Sequence, residues 1–413
     1  MKNDKRPFVA LGRVRLLPLL LLLCVTIIAG AGSAVAAASS HTDEDAVVVK
    51  NVETTHRKPF TLRVTGRLRV DGAIVNAGQT PLEDRGELSS ARLGLSGTIG
   101  RHWRYATSYE FSGEDPAFET AMLSYTGLRD TTIKLGLQRE PFGLEQASST
   151  RLIPFIERAL PEALAPGYSL GTAIQTGGKY WSATVGLFWD EDGSDLNRFH
   201  RVERGMTGRF TVAPRVPPFV LLDTLHLGLS TTYREPDARQ KIRFRAEPES
   251  ELVDVKFIDT RTIADIDRYT GTNIEGAVAH GPLSLQGEVT RISVMRKNAR
   301  EELEFAGGYV YASWRLTGES RAYNAKIGSF ERIKPKRKFG ALELALRYST
   351  LNLNDALITD GIRGGKQSNI TAGLNWHLNS QWRFMVNYIW VTAHARQGDE
   401  RPQMLLGRAQ FEF

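Results

Sequence analysis

The 413-residue chain contains one cysteine, Cys24, and it lies in an N-terminal stretch that reads as a leader. Without that leader the chain has no thiol, which excludes a disulfide framework and cysteine chemistry. Leu23 is not a small residue and the apolar run continues past Cys24, so the position does not read as a lipid-attachment site. The eight histidines form no HExxH or comparable close ligand cluster, and neither a metal nor a cofactor is expected. After about Ala29 no apolar run approaches the roughly 20 residues of a membrane helix. Gly178-Lys179 lacks the spacing of a phosphate-binding loop. Asp190-Glu-Asp-Gly-Ser-Asp195 lacks the full ligand spacing and closing glutamate of a calcium loop, and reads as a solvated external loop. Gly167-Tyr-Ser-Leu-Gly171 matches G-x-S-x-G, but Pro166 and a loop precede Ser169 where a nucleophile elbow requires a strand. No catalytic residue is assigned.

What the N-terminus does contain is a basic start (Lys2, Lys5, Arg6, Arg13, Arg15), an apolar core, and Ala-x-Ala sites at Ala34-Val-Ala36 and Ala36-Ala-Ala38. These are the parts of a cleaved signal peptide, over residues 1–38. Those residues hold five basic side chains and one acid, so their removal lowers the net charge from +7 to +3. A general case for nucleic-acid binding therefore fails. Residues 39–60 are polar and read as a periplasmic lead-in. An exported chain without a later membrane helix is a soluble secreted β protein or an outer-membrane barrel, whose strands alternate apolar and polar residues.

Alternation is present throughout. In Thr61–Val75, Leu62, Val64, Leu68 and Val70 share one face, with Arg63, Arg67, Arg69 and Asp71 on the other. About sixteen candidate strands follow as far as Phe413, within the range of bacterial outer-membrane barrels. Tight turns at Gly100, Gly127–Asp130, Gly177–Tyr180, His280–Pro282 and Asn379–Gln381 alternate with longer links at 76–86, 140–170, 190–203, 235–268, 351–367 and 395–403. Short turns at one end and long loops at the other are the outer-membrane pattern, to which 213–223 and 318–339 are exceptions. Trp382 and Trp390 near opposite ends of one strand suit interfacial girdles, and the last strand ends in Phe413, like the assembly signal of such barrels. Between the strand at Thr131–Gln138 and Gly171 lie about thirty residues without strand pattern, a length that points to a functional loop.

The wording of that loop is specific. Arg139-Glu-Pro-Phe-Gly-Leu-Glu145, Phe155-Ile-Glu-Arg-Ala-Leu-Pro161 and Pro166-Gly-Tyr-Ser-Leu-Gly171 resemble the phosphate-selective porin O and P family. Leu316-Thr-Gly-Glu-Ser-Arg-Ala-Tyr323, Glu343-Leu-Ala-Leu-Arg-Tyr-Ser349, Gly373-Leu-Asn-Trp376 and Arg383-Phe-Met-Val-Asn-Tyr388 continue the resemblance in order. It implies an all-β, transmembrane antiparallel β-barrel of about 16 strands with a long, pore-constricting third external loop. It also implies a homotrimer among lipid and lipopolysaccharide in the outer membrane of a Gram-negative bacterium, passing small inorganic anions such as phosphate.

Alternation sets Arg63, Arg67, Arg69, Arg92, Arg104, Lys134, Arg209, Arg347, Arg383 and Arg408 inside, with Asp71, Glu110, Glu343 and Glu412. All but Arg408 are taken as candidates for an anion path, since rings of Arg and Lys are the usual device for anion passage. Arg139, Arg151 and Arg158 are the constriction candidates on the loop. The alternative is an outer-membrane barrel enzyme or receptor working through its external loops, for which no Ser/His/acid set can be assembled.

Cleavage is directly testable. Mass spectrometry of the protein purified from outer membranes should give a chain starting near residue 37 or 39, whereas an intact Met1 or a lipid on Cys24 would overturn the leader assignment.

Overall fold

A computed structural model describes residues 60–113, 116–191, 202–216, 222–236, 239–298, 300–355 and 361–413. The leader, the lead-in as far as residue 59 and the 192–195 part of the acidic loop lie outside the described residues. The alternating stretches become strands β1 (Phe60–Asn76), β2 (Arg85–Ile99), β3 (Trp103–Glu110), β4 (Ala117–Leu128), β5 (Thr131–Arg139), β6 (Tyr168–Gly177), β7 (Trp181–Glu191), β8 (Val202–Val212) and β9 (Thr224–Glu235). The short pair β10 (Arg245–Ala246) and β11 (Ile258–Asp259) comes next, then β12 (Ile266–His280), β13 (Leu283–Arg296) and β14 (Leu303–Arg315). A second short pair, β15 (Tyr323–Asn324) and β16 (Ser329–Phe330), precedes β17 (Ala341–Asp355), β18 (Ile362–His377), β19 (Trp382–Ala395), β20 (Gly398–Glu400) and β21 (Gln403–Glu412).

Apart from the two short pairs and β20, these strands make one wall of sixteen. Each pairs antiparallel with its neighbours, and β1 pairs with both β2 and β21, so the sheet closes. At the seam the Gly66 N–H donates to the Phe413 carbonyl at 3.0 Å, and the Phe413 N–H returns the bond at 3.1 Å. Closure removes the unpaired edge that a sheet in hydrocarbon could not tolerate. Leu62, Leu68, Val70 and Ile74 of β1 point outward and are exposed, and the other strands repeat the pattern. Outward aromatics border the apolar band, with Trp103, Trp314 and Trp382 toward the tight turns. Tyr348 and Trp390 lie about midway along their strands, beyond which the outward face turns polar at Thr350, Asn352, Thr392 and His394. The third long link is shorter than expected, because pairing resumes at Tyr168 rather than near Gly171.

The interior departs from a uniformly polar, water-filled lumen. Three links fold inside, at 140–167, 239–265 and, within the 316–340 link, 319–332. Along β17 the inward residues are polar near the tight turns (Glu343, Arg347, Ser349) and apolar near the long links (Leu351, Leu353). There Ile292, Val294, Phe305, Leu351 and Leu353 pack against Leu160 and Leu164 of the first link and Phe244, Ile258 and Ile263 of the second. Met385, Ile389, Val391 and Met404 likewise close over Ile156, Leu252, Val253 and Phe257. Burying such side chains contributes about 1.5–3 kcal/mol each, enough to hold a loop inside a barrel against its chain entropy. On β1 to β5 the inward residues remain mostly half-open. One arc of the wall is thus dry and packed, and the other is wet.

Candidate functional site

The first inserted link leaves the wall at Glu140, whose buried carboxylate accepts from Ser169 Oγ (2.6 Å) and Thr207 Oγ1 (2.5 Å) and pairs with Arg234. Ser169, the serine of the G-x-S-x-G match, therefore sits on a strand and is committed to the root of the loop. Gly143 turns the chain inward at φ +70°, and a Cβ there would stand 2.4 Å from Glu288 Oε2, so both conformation and space require glycine. A single helical turn, Leu144–Ala147, follows. The Glu145 N–H donates to Glu288 Oε1 (2.6 Å), and its carboxylate accepts from the Ala159 N–H (3.0 Å), folding the loop back on itself.

Three wall arginines then take hold of the loop backbone. Arg383 donates to the carbonyls of Arg151 (3.0 Å) and Ile153 (2.8 Å), Arg347 to Glu157 (3.0 Å) and Arg408 to Ile156 (2.7 Å). Arg347 also lies over the Phe155 ring at 4.2 Å and pairs with Glu145 (3.4 Å) and Glu249 (2.7 Å). Arg408 is bidentate to Asp71 at 2.7 and 2.6 Å and reaches Glu157 at 2.7 Å. Asn375 adds a bond to the Pro154 carbonyl at 2.8 Å. The carbonyls that a buried loop cannot leave unpaired are thereby satisfied.

The loop so held leaves a cavity of about 800 Å³ against the wet arc of the wall. Its lining carries eight cations, Arg67, Arg69, Arg92, Lys134, Arg139, Arg158, Arg209 and Arg408, and six carboxylates, Glu87, Glu110, Glu119, Glu140, Glu157 and Glu251. Arg92 meets Glu110 at 3.1 Å and also pairs with Glu119. Arg139 reaches Glu162 at 3.3 Å with its guanidinium 4.4 Å from the Tyr168 ring centroid. Arg158 binds the Ser148 carbonyl at 2.9 Å. Arg67 is 3.3 Å from Glu412, a carboxylate it shares with Arg151 (3.7 Å) and Arg332. Arg69 is different: it is buried, and its donors go to the neutral acceptors Gln410 Oε1 (3.0 Å) and Thr150 Oγ1 (2.6 Å). Lys134 makes no ion pair or hydrogen bond among the described residues.

The hairpin β15–β16 closes the far side. Arg209, bidentate to Glu275, donates to the Gly328 carbonyl at 2.7 Å, and Ser148 and Ser329 meet at 3.2 Å, joining hairpin to loop. His226 stands between Glu275 (2.9 Å) and the Tyr323 hydroxyl (2.6 Å). Glu251, on the 239–265 link, opens onto the cavity, and repulsion from Glu157, with burial second, raises its carboxyl to about 8.

Of the inward residues expected from alternation, Arg67, Arg69, Arg92, Lys134 and Arg209 line the cavity, as do Arg139 and Arg158 from the loop. Arg347 and Arg383 do not; they are enclosed by the inserted loop and hold it. Arg63 and Arg104 are also absent from the lining, Arg104 being exposed beside the tight turns, and Arg151 points at Glu412 from the loop rim. Thr150, Gln410, Glu251 and the hairpin were not foreseen. The one signal for the hairpin was the unusual length of 318–339 at the tight-turn end.

A family model described as phosphate-selective porin O and P matches residues 62–413. Porin O of Pseudomonas aeruginosa is 27% identical over 423 residues, covering 90% of this chain and 94% of that protein. Among solved structures, an anion-selective porin from Comamonas acidovorans aligns with TM-score 0.54 at 13% identity, over 86% of this chain and all (100%) of its own. The trimer form of the outer-membrane protein OmpT of Vibrio cholerae aligns with TM-score 0.53 at 11% identity, over 86% of this chain and 99% of its own. At these identities the two structures bear on the fold alone.

Removing an anchor should free the loop without opening the wall. Arg383→Ala deletes two charge-assisted hydrogen bonds to the loop backbone, about 1.5–3 kcal/mol each, and a third to Asn375. Trypsin should then cut after Arg151 or Arg158 at least tenfold faster in barrels that keep heat-modifiable mobility. Unchanged cleavage would mean that the loop is held without the wall arginines.

Proposed function

The chain belongs to the phosphate-selective porin O and P family, and from that premise we propose that it is a passive diffusion channel for small anions, phosphate among them, through the outer membrane of a Gram-negative bacterium. The observation that carries this reading is the charge balance of the cavity wall, eight cations against six carboxyl groups, of which Glu251 is mostly neutral at pH 7. The excess is concentrated on Arg69 and Lys134, which make no ion pair among the described residues. In a narrow, partly desolvated lumen such cations raise the local anion concentration and repel cations. Arg69 next to Thr150 offers a planar donor fork beside a hydroxyl, a set that suits the oxygens of phosphate. Arg67, Arg92, Arg139 and Arg158 extend the positive lining while remaining fixed by their partners. The inserted 140–167 loop, which walls the cavity along one side, sets the constriction in this reading. A homotrimer is proposed by analogy with the trimeric neighbour.

Charge reversal at the two uncompensated cations, Arg69→Glu with Lys134→Glu, changes the lining from eight against six to six against eight. In planar bilayers under a chloride gradient the reversal potential should change sign, with oligomer yield intact. A wild-type channel without anion preference would defeat the substrate class, and a preference that survives the double reversal would place the path elsewhere.

The acid with the raised pKa supplies a second test. Glu251 is mostly neutral at pH 7 and ionises as the pH passes about 8, adding a negative charge to the cavity. The anion-to-cation permeability ratio should therefore fall between pH 6.5 and 9, and Glu251→Gln should flatten that fall. A wild-type ratio that does not change with pH would remove Glu251 from the path.

A further inference from the structure

The geometry points to a binding site for an anionic phospholipid on the outside of the barrel, where an apolar groove across β13 to β19 runs down to a cationic turn at the tight-turn end. Across paired positions of the wall, Trp314, Leu344 and Leu374 form one outward rank. In the next rank, toward the long links, the corresponding positions include Ala312 and Ala372, on either side of Leu346. Two methyl groups among large side chains leave a hollow of about 750 Å³ lined almost wholly by carbon. The wall strands of this arc, β12 to β19, are 13–16 residues long, more than the roughly 9–11 needed to cross a bilayer, so the groove lies where acyl chains run.

The second observation is independent of the first. Between the inserted hairpin and β17 the chain reads Lys334-Pro-Lys-Arg-Lys338, and Lys334, Arg337 and Lys338 are exposed with no carboxylate partner among the described residues. These cations do not line the cavity inside the barrel. The turn that carries them is fixed to the foot of the wall. The Gly340 N–H donates to the Arg337 carbonyl (3.0 Å), and the Arg337 guanidinium lies 5.8 Å from the Phe339 ring centroid. Trp376, from the outward face of β18, donates its indole N–H to the Phe339 carbonyl at 2.7 Å. The cluster is therefore held at the level of the aromatic girdle, a few residues along the chain from the groove's Leu344.

Tight turns of outer-membrane barrels face the periplasm, so this girdle lies in the leaflet that holds phospholipid. A surface with unbalanced positive charge at headgroup depth and a carbon-lined hollow above it is complementary to a phosphatidylglycerol-type lipid. A zwitterionic lipid could fill the hollow, but it would not balance the charge. The inference rests on the membrane placement of the barrel and not on ion selectivity, and conductance read on the same samples separates the two.

The test is native mass spectrometry of the purified protein in detergent, titrated with palmitoyl-oleoyl phosphatidylglycerol or the matching phosphatidylethanolamine. Wild-type protein should bind the glycerol lipid at least tenfold more tightly. Lys334→Glu, Arg337→Glu and Lys338→Glu together should abolish that preference while leaving single-channel conductance unchanged. Ala312→Leu should weaken both lipids by filling the hollow. Equal binding of the two lipids by wild type, or a preference that survives the triple reversal, would overturn the proposal. Loss of the oligomer in Ala312→Leu would also overturn it, because a second copy of the chain would then be the occupant. If Ala312→Leu fails to fold, the exposed-turn variant alone decides.

Discussion

Arginine bonded to loop carbonyl is the interaction on which the interior depends. A loop of nearly thirty residues inside a barrel brings in backbone groups that water no longer reaches, and each unpaired one costs about 1–3 kcal/mol. Here Arg347, Arg383 and Arg408 point inward from separate strands and meet the stretch from Arg151 to Glu157. A guanidinium suits this task because its five donors reach several acceptors in one plane, so Arg408 can bind a carbonyl, Asp71 and Glu157 together. Buried charges of this kind need partners, and the loop supplies those that the wall lacks, leaving Nε of Arg347 and of Arg383 without a hydrogen bond among the described residues. Where Arg347 and Arg383 hold the loop, the lumen is solid; the cavity is the space left between the loop and the opposite arc, with Arg408 on its border.

Much of this could be read from the sequence. Period-2 alternation exposed the strands, the contrast of short and long links exposed the barrel's two ends, and the length of the link read over 140–170 pointed to an inserted loop. Alternation could not reveal which inward arginines are wet. Arg69 and Arg347 each occupy a polar-face position in mid-strand, yet one lines the cavity and the other lies beneath Glu145 and Glu157. Parity reports the face of a sheet, not what covers that face. A subtler signal was present: in β13, β17 and β19 the inward set turns apolar toward the long links, at Ile292, Leu351 and Ile389. Strands whose inward face turns apolar at one end require a cover there, and the 239–265 link provides much of it.

The acids deserve the same reading as the bases. Most carboxylates at the cavity fix a cation's position rather than neutralise the route: Glu110 and Glu119 hold Arg92, Glu140 pairs with Arg234, and Glu157 with Arg408. Oriented donors in a fixed frame act on a passing ion without the cost of rearranging at each passage. Glu251 stands apart because the largest influence on it is another carboxylate, Glu157.

The unequal filling of the barrel also bears on how such a protein can diverge. On the packed arc an inward side chain is constrained by strand neighbours, inserted loop and hydrogen-bond network at once, so few replacements are neutral there. On the open arc, Lys134 or Thr184 borders solvent and answers to little beyond its own backbone. A lineage can therefore retune what it admits by drifting along one side of the cylinder while the other side keeps the scaffold intact.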